Sequence, residues 1–253
     1  MKLILALLLL LAGCRRAEPT QVPAPEKSAE SACSRLVFEG SRFTVCRAPE
    51  ARIELRSSGA DGRPLRSFVA LEHVLGPRAK KVLFAMNAGM FDDHGRPIGL
   101  LVESGREIRT INRREGGGNF HLTPNGVFLV RRDGRTAVVT SSAYKHSTDI
   151  LYATQSGPML VIDGKLHPRF DYDGKSRFIR NGVGIGPDGQ PLFVISDEPV
   201  SFGKLARLFR DELSCRNALY FDGSVSSLWD PANDRMDSFA AIGPMVVAFK
   251  AAE

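Results

Sequence analysis

The sequence predicts an α+β fold: a single, sheet-dominated domain of mixed, largely antiparallel strands with about two main helices. Three observations carry this. Short runs rich in Val, Ile, Leu and Phe recur along the chain, Gly, Asn, Asp and Pro punctuate them at short intervals, and only two windows hold helical period. In chain order, strands are expected at 43–46, 82–86, 98–103, 127–130, 137–140, 151–153, 159–162, 192–195, 219–221 and 245–249. The stretch "SRLVFEGSRFTV" ahead of the first reads as two short strands turning at Glu39-Gly40. A helix at 67–75 aligns Phe68, Leu71 and Leu75 and stops at Gly76-Pro77. A second, at 201–213, aligns Phe202, Leu205, Leu208, Phe209 and Leu213 behind Ser201, a suitable N-cap.

The ends of the chain read differently. Residues 1–13 are expected to be a lipoprotein-type signal peptide, with Lys2 ahead of an apolar run at 3–11 that is short for a membrane span. Leu11-Ala12-Gly13-Cys14 resembles the bacterial lipobox, whose cysteine is lipidated and becomes the first residue of the mature protein. Residues 14–31 are rich in Pro, Ala and Glu and almost free of bulky apolar side chains, which describes a lipid-anchored tether. The expected place is a membrane surface facing the periplasm or the cell exterior; Arg15 stands where Asp would favour retention at an inner membrane, so in a cell with two membranes the outer one is expected. Residues 32–253 are then one domain, long enough for a sizeable core.

In an oxidising compartment Cys33 and Cys46, on either side of the first hairpin, are the natural disulfide pair. Cys215, between a helix and a strand, reads as a buried free thiol. The formal charge is +6, with Lys and Arg scattered along the chain. That pattern fits an anionic small ligand, or solubility alone, better than nucleic acid, which asks for a basic stripe with interleaved aromatics.

Several chemistries find no support. The five histidines show no HExxH or other ligand-like pairing, and "FDYDGK" lacks the later Glu of a calcium loop, so no metal or cofactor is expected. There is no P-loop and no dinucleotide fingerprint. Ser156 in "QSGPM" precedes a glycine without the G-x-S-x-G elbow of a serine esterase. What recurs instead is a strand followed by a polar, Gly-containing turn: Asn87, Asn125-Gly126, Gln155-Ser156-Gly157, Arg180-Asn181-Gly182 and Asp222-Gly223-Ser224. If those turns converge, their amides, hydroxyls, guanidinium and carboxylate suit a sugar and an anion.

The series "NAGMFD", "PIGLLVESG", "PNGVF", "QSGPMLVIDGK", "RFIRNGVGIG" and "ALYFDGSVSS" resembles, in order and spacing, the phosphodiester glycosidase family. Ala88 and Met90 stand where that family often has Gly and Phe, and Ser224-Val225 where it often has Gly-Gly. The resemblance implies hydrolysis of a sugar-1-phosphodiester at the anomeric bond. A phosphate leaving group needs little protonation, so the demands are a cation for the phosphodiester and a carboxylate at the oxocarbenium-like centre. Asp222 is the first carboxylate and Asp92 the second; Arg180 is the cation, with Arg177 as alternative. Asn87, Asn125, Gln155, Ser156, Gly157, Asn181, Gly223, Ser224, Ser226 and Ser227 are expected to line the substrate, and neither Asp222 nor Arg180 is expected in the core. The alternative is a non-catalytic envelope lipoprotein that binds a carbohydrate phosphodiester or phosphoglycan.

Overall fold

The computed structural model describes residues 31–47 and 52–251. Cys14, the signal segment 1–13 and all but the last residue of the tether lie outside them. Three sheets form the domain, and every strand pairing within them is antiparallel. In the seven-stranded sheet, Asn217–Tyr220 lies between Asn181–Ile185 and Met159–Ile162, while the hairpin Cys33–Phe38/Ser41–Arg47 forms one edge. A five-stranded sheet centres on Val82–Asn87, flanked by Leu228–Asp230 and Met245–Phe249. The other five-stranded sheet centres on Ile150–Ser156, flanked by Leu101–Glu103 and Gly126–Arg131.

The sheets meet around phenylalanines contributed by each. Phe193 packs against Phe84 and Phe128 at centroid distances of 5.4 and 5.6 Å, and Phe128 reaches Phe221 at 6.5 Å. All four rings are at most 1% exposed. Each buried ring contributes about 1.5–3 kcal/mol of hydrophobic stabilisation, which makes this cluster the brace that holds the strand ends in register with one another.

The first helix, Phe68–Leu75, forms as expected: Ser67 accepts from the Ala70 amide at 3.1 Å, and Phe68, Leu71 and Leu75 are buried. The second departs from a uniform helix over 201–213. Ser201 caps the segment Phe202–Arg207, and the chain then widens into a π-turn over Leu208–Glu212. The Leu213 amide bonds the Leu208 carbonyl five residues back, which brings Leu213 onto the same buried face as Leu208 and Phe209. The strand Asn181–Ile185 was expected only as a turn leading into later structure. Its glycines are sites of close packing: a Cβ at 182 would come within 2.6 Å of the Leu219 carbonyl oxygen, and one at 184 within 2.6 Å of Cys215 Sγ.

Cys33 and Cys46 face each other across the edge hairpin and are bridged, with a sequence separation of 13. A cross-link of that span stabilises by about 3 kcal/mol in the chain-entropy model. The double variant Cys33→Ser/Cys46→Ser is therefore expected to lose roughly that much in denaturant unfolding; an unchanged midpoint would show that the bridge does not constrain the unfolded chain. Cys215 is 1% exposed, and burial pushes its thiol up to about 12. It should resist thiol reagents until the domain unfolds.

Candidate functional site

Asp222 stands two residues beyond the strand Asn217–Tyr220, where the backbone leaves the seven-stranded sheet. Three hydrogen bonds from two separate segments fix its position. The Phe221 amide donates to the Asn181 carbonyl at 3.1 Å, the Asp222 amide to the Ala88 carbonyl at 3.0 Å, and Asn87 Nδ2 to the Asp222 carbonyl at 2.7 Å. Asn87 Oδ1 in turn accepts from the Ser227 amide at 2.8 Å and from Asn181 Nδ2 at 2.9 Å. Asn181 Oδ1 accepts from the Ser226 hydroxyl at 2.9 Å, and the Ser227 hydroxyl closes the loop on the Val225 carbonyl at 2.8 Å. Asn87, Asn181, Ser226 and Ser227 are all at most 2% exposed. Buried polar networks of this kind, fully paired, hold a single conformation.

The carboxylate that this lattice presents has one polar contact of its own, a long bond at 3.3 Å from the Ser224 amide. Among the described residues it forms no ion pair. Burial accordingly pushes the Asp222 carboxyl above the usual carboxylate range, with the Ser224 amide opposing. Gly223 is required beside it, because a Cβ there would overlap the Tyr220 hydroxyl. Ser224 is exposed at the rim.

Arg180 corrects one expectation outright: it belongs to the core, at 1% exposure. Nε donates to the Val200 carbonyl at 2.9 Å, Nη1 to the Tyr220 hydroxyl at 3.0 Å, and Nη2 to the Ser176 carbonyl and hydroxyl at 3.0 and 3.1 Å. The guanidinium carbon also lies 3.6 Å from the centre of the Phe202 ring. Four of the five N–H donors thus have protein partners and none of these is a carboxylate, so burial pulls the guanidinium down from its ordinary value while Tyr220 opposes. Tyr220 is the link to Asp222: burial raises its phenol to about 12, so it stays protonated at neutral pH. It accepts from Arg180 and keeps its own hydrogen to donate.

The other sequence-expected residues divide. Asn125, Gln155, Ser156 and Gly157 are brought to the neighbouring end of the sheet around Ile150–Ser156. Gly157 packs so closely on Asn125 and Phe120 that a Cβ would come within 2.6 Å of Asn125 Cβ. Gln155 is 1% exposed and satisfied by protein: Oε1 accepts from the Leu100 and Asn112 amides at 3.0 and 2.8 Å, and Nε2 donates to the Asn112 carbonyl at 2.6 Å. Ser156 Oγ and Asn125 Oδ1 are buried without a hydrogen-bond partner, which leaves both with capacity for a ligand or water. Asp92 stands apart, capping its own turn by accepting from the His94 and Arg96 amides at 3.0 and 2.9 Å; those bonds, led by Arg96, pull its carboxyl down. Arg177 pairs with Asp173 at 2.6 Å on an exposed loop.

Tyr220 and Ser176 were not singled out from the sequence, and Phe202 was read only as part of a helix face. A tyrosine in the otherwise apolar "ALYF" was the available signal, since a buried phenol needs a partner. Phe178, 55% exposed beside Arg180 with its ring 5.4 Å from the guanidinium, was equally silent. Among the described residues, surface cavities of about 180–400 Å³ are lined by neither Asp222 nor Arg180.

Comparison with known proteins matches residues 80–242 to a family described as phosphodiester glycosidase. The uncharacterized protein YigE of Escherichia coli (strain K12) is 38% identical over 149 residues, 59% of this chain; the match spans 58% of that relative's own length. The zebrafish N-acetylglucosamine-1-phosphodiester alpha-N-acetylglucosaminidase catalytic domain, auto-inhibited by its pro-peptide, superposes with a TM-score of 0.59 at 16% identity, over 87% of this chain and 82% of that one. A hypothetical protein from Synechocystis superposes with a TM-score of 0.54 at 13% identity, over 87% and 61%. At these identities the two structures establish a shared fold.

Proposed function

The chain belongs to the phosphodiester glycosidase family, and on that premise we propose that it is a hydrolase of the cell envelope, cleaving the anomeric bond of a sugar-1-phosphodiester. The observation that supports this reading best is Asp222: a carboxylate held by a buried lattice of Asn87, Asn181, Ser226 and Ser227, yet without a cation of its own. An ionised carboxylate so placed stabilises positive charge developing at the anomeric carbon or activates the attacking water. The bond from that carbon to the phosphate oxygen breaks with its electron pair, the water oxygen joins the carbon and passes one proton to Asp222 or to the departing phosphate, and the phosphomonoester leaves as an anion.

Arg180 supplies fixed positive potential for that anion, and the Tyr220 hydroxyl, polarised by Arg180, donates to a phosphate oxygen. A direct two-point grip by Arg180 requires Ser176 to give up its bonds, so the tyrosine is the nearer donor. Asn87 and Asn181 act by positioning Asp222; Ser156, Asn125 and Ser224 retain polar atoms for sugar hydroxyls; Gly157 and Gly223 permit the close approach. Phe178 offers an apolar face to the ring. Asp92, engaged in its own turn, is assigned no chemical step. The anchor reading places the domain at a membrane surface through Cys14.

Incubating the purified protein with a synthetic sugar-1-phosphodiester tests the proposal. Release of free sugar supports it. Saturable binding without release would favour the alternative, an envelope protein that captures phosphoglycans in the same groove.

A further inference from the structure

The turn around Asp92 leads to a second concavity that the chemistry above does not use. It has two adjoining parts, of about 400 and 180 Å³, which share Ile108 and Arg109. The larger falls within the usual range for ligand sites, about 300–1,000 Å³. Its floor includes Ile98, Ile108 and Ile111, and its borders carry Arg109, Arg113 and Arg114, with Arg96 on the smaller part. Arg96 pairs with Asp92 at 2.9 Å. Arg113 is fixed by carbonyls alone, donating to Ser141 at 3.2 Å and Tyr144 at 3.1 Å. Among the described residues, no carboxylate lies within ion-pair distance of Arg109, Arg113 or Arg114, and Glu107 of the same segment is turned to His146 at 3.5 Å.

A chain of contacts through the protein interior links the wall of the groove to the segment that carries Asp222. Asn112, on its wall, bonds the Ile98 carbonyl at 2.9 Å and Gln155 at 2.6–2.8 Å. The Gln155 carbonyl packs so closely on Gly89 that a Cβ at 89 would come within 2.8 Å of it, and the neighbouring Ala88 carbonyl receives the Asp222 amide. We propose that this groove is a subsite for an anionic continuation of the substrate beyond the scissile phosphodiester, a chain carrying at least one further phosphate. The arginines take the second phosphate and the isoleucines take the C–H faces of the intervening sugar. The inference rests on the glycosidase reading for its place in the reaction, while the binding it requires stands by itself.

The test compares two probes on the full protein: a trimer of hexose units joined by 1-phosphodiesters, and the methyl phosphodiester of one such unit. The double variant Arg109→Ala/Arg114→Ala is expected to raise KM for the trimer about tenfold at low salt, to leave kcat unchanged, and to leave the methyl diester unaffected. The difference should shrink as salt screens the arginines. Equal effects on both probes, or on neither, would overturn the subsite. If the unaltered protein turns over neither probe, titration of the trimer decides the groove alone. Binding that weakens about tenfold in the variant upholds the subsite while the activity reading falls; unchanged binding, or none by the unaltered protein, overturns the subsite.

Discussion

Asp222→Asn is expected to lower kcat on the order of a hundredfold or more while substrate still binds, because the lost interaction is one made chiefly in the transition state. The same variant should not lose stability. Burial raises the Asp222 carboxyl above its unfolded value, so the folded state takes up the proton more readily than the unfolded chain. Below the unfolded carboxyl range both states are protonated and the group carries no penalty. As pH rises through the raised folded value, the folded state holds an ionised, unpaired carboxylate and stability falls. An amide removes that cost, so the variant should melt above the unaltered protein near neutral pH, with the gap closing as pH falls below about 4, the ordinary aspartate range. A carboxylate serving only to cap the turn through Ser224 would give the opposite pattern: lower melting temperature and near-normal turnover.

Arg180→Met should have the second-largest effect, on folding and function together. Removing the guanidinium leaves the Tyr220 hydroxyl, the Val200 carbonyl and Ser176 without their donor. Unpaired buried acceptors cost about 1–3 kcal/mol each, and relief of the desolvated charge offsets part of that, for a net loss of about 3 kcal/mol in denaturant unfolding. In the fraction that folds, KM for the phosphodiester should rise at least tenfold, since the cation and the polarised phenol are lost together. Arg180→Lys keeps the charge without the fork and should recover some stability while turnover stays low. Wild-type KM and midpoint in Arg180→Met would separate this residue from both roles.

The physical contrast between these two residues explains what the sequence disclosed. Strands that are short continuous apolar runs, such as Val82–Asn87 and Met245–Phe249, were legible, because a strand buried on both faces demands that pattern. The strand Asn181–Ile185 was not, since its glycines answer to Leu219 and Cys215, residues distant in sequence that only the fold brings near. Asp222 was legible as a carboxylate at a strand end followed by glycine and serines. The burial of Arg180 was not, because an arginine in a turn reads as exposed until Phe202 and the 176–178 loop are known to cover it. Asn87, Asn181 and Gln155 were picked out as polar groups aimed at a ligand, yet their hydrogen bonds go to protein. Sequence supplies a donor inventory, and only geometry tells which donors are already taken.

Hydrolysis of a sugar-1-phosphodiester in water enriched in oxygen-18 tests the central claim most directly, because it reports which bond breaks. Attack at the anomeric carbon places the heavy oxygen in the released sugar and leaves the phosphomonoester unlabelled, which is the expected result, with the rate falling on the order of a hundredfold in Asp222→Asn. Label in the phosphate instead would mean attack at phosphorus, and would contradict the assignment of Asp222 to the anomeric centre.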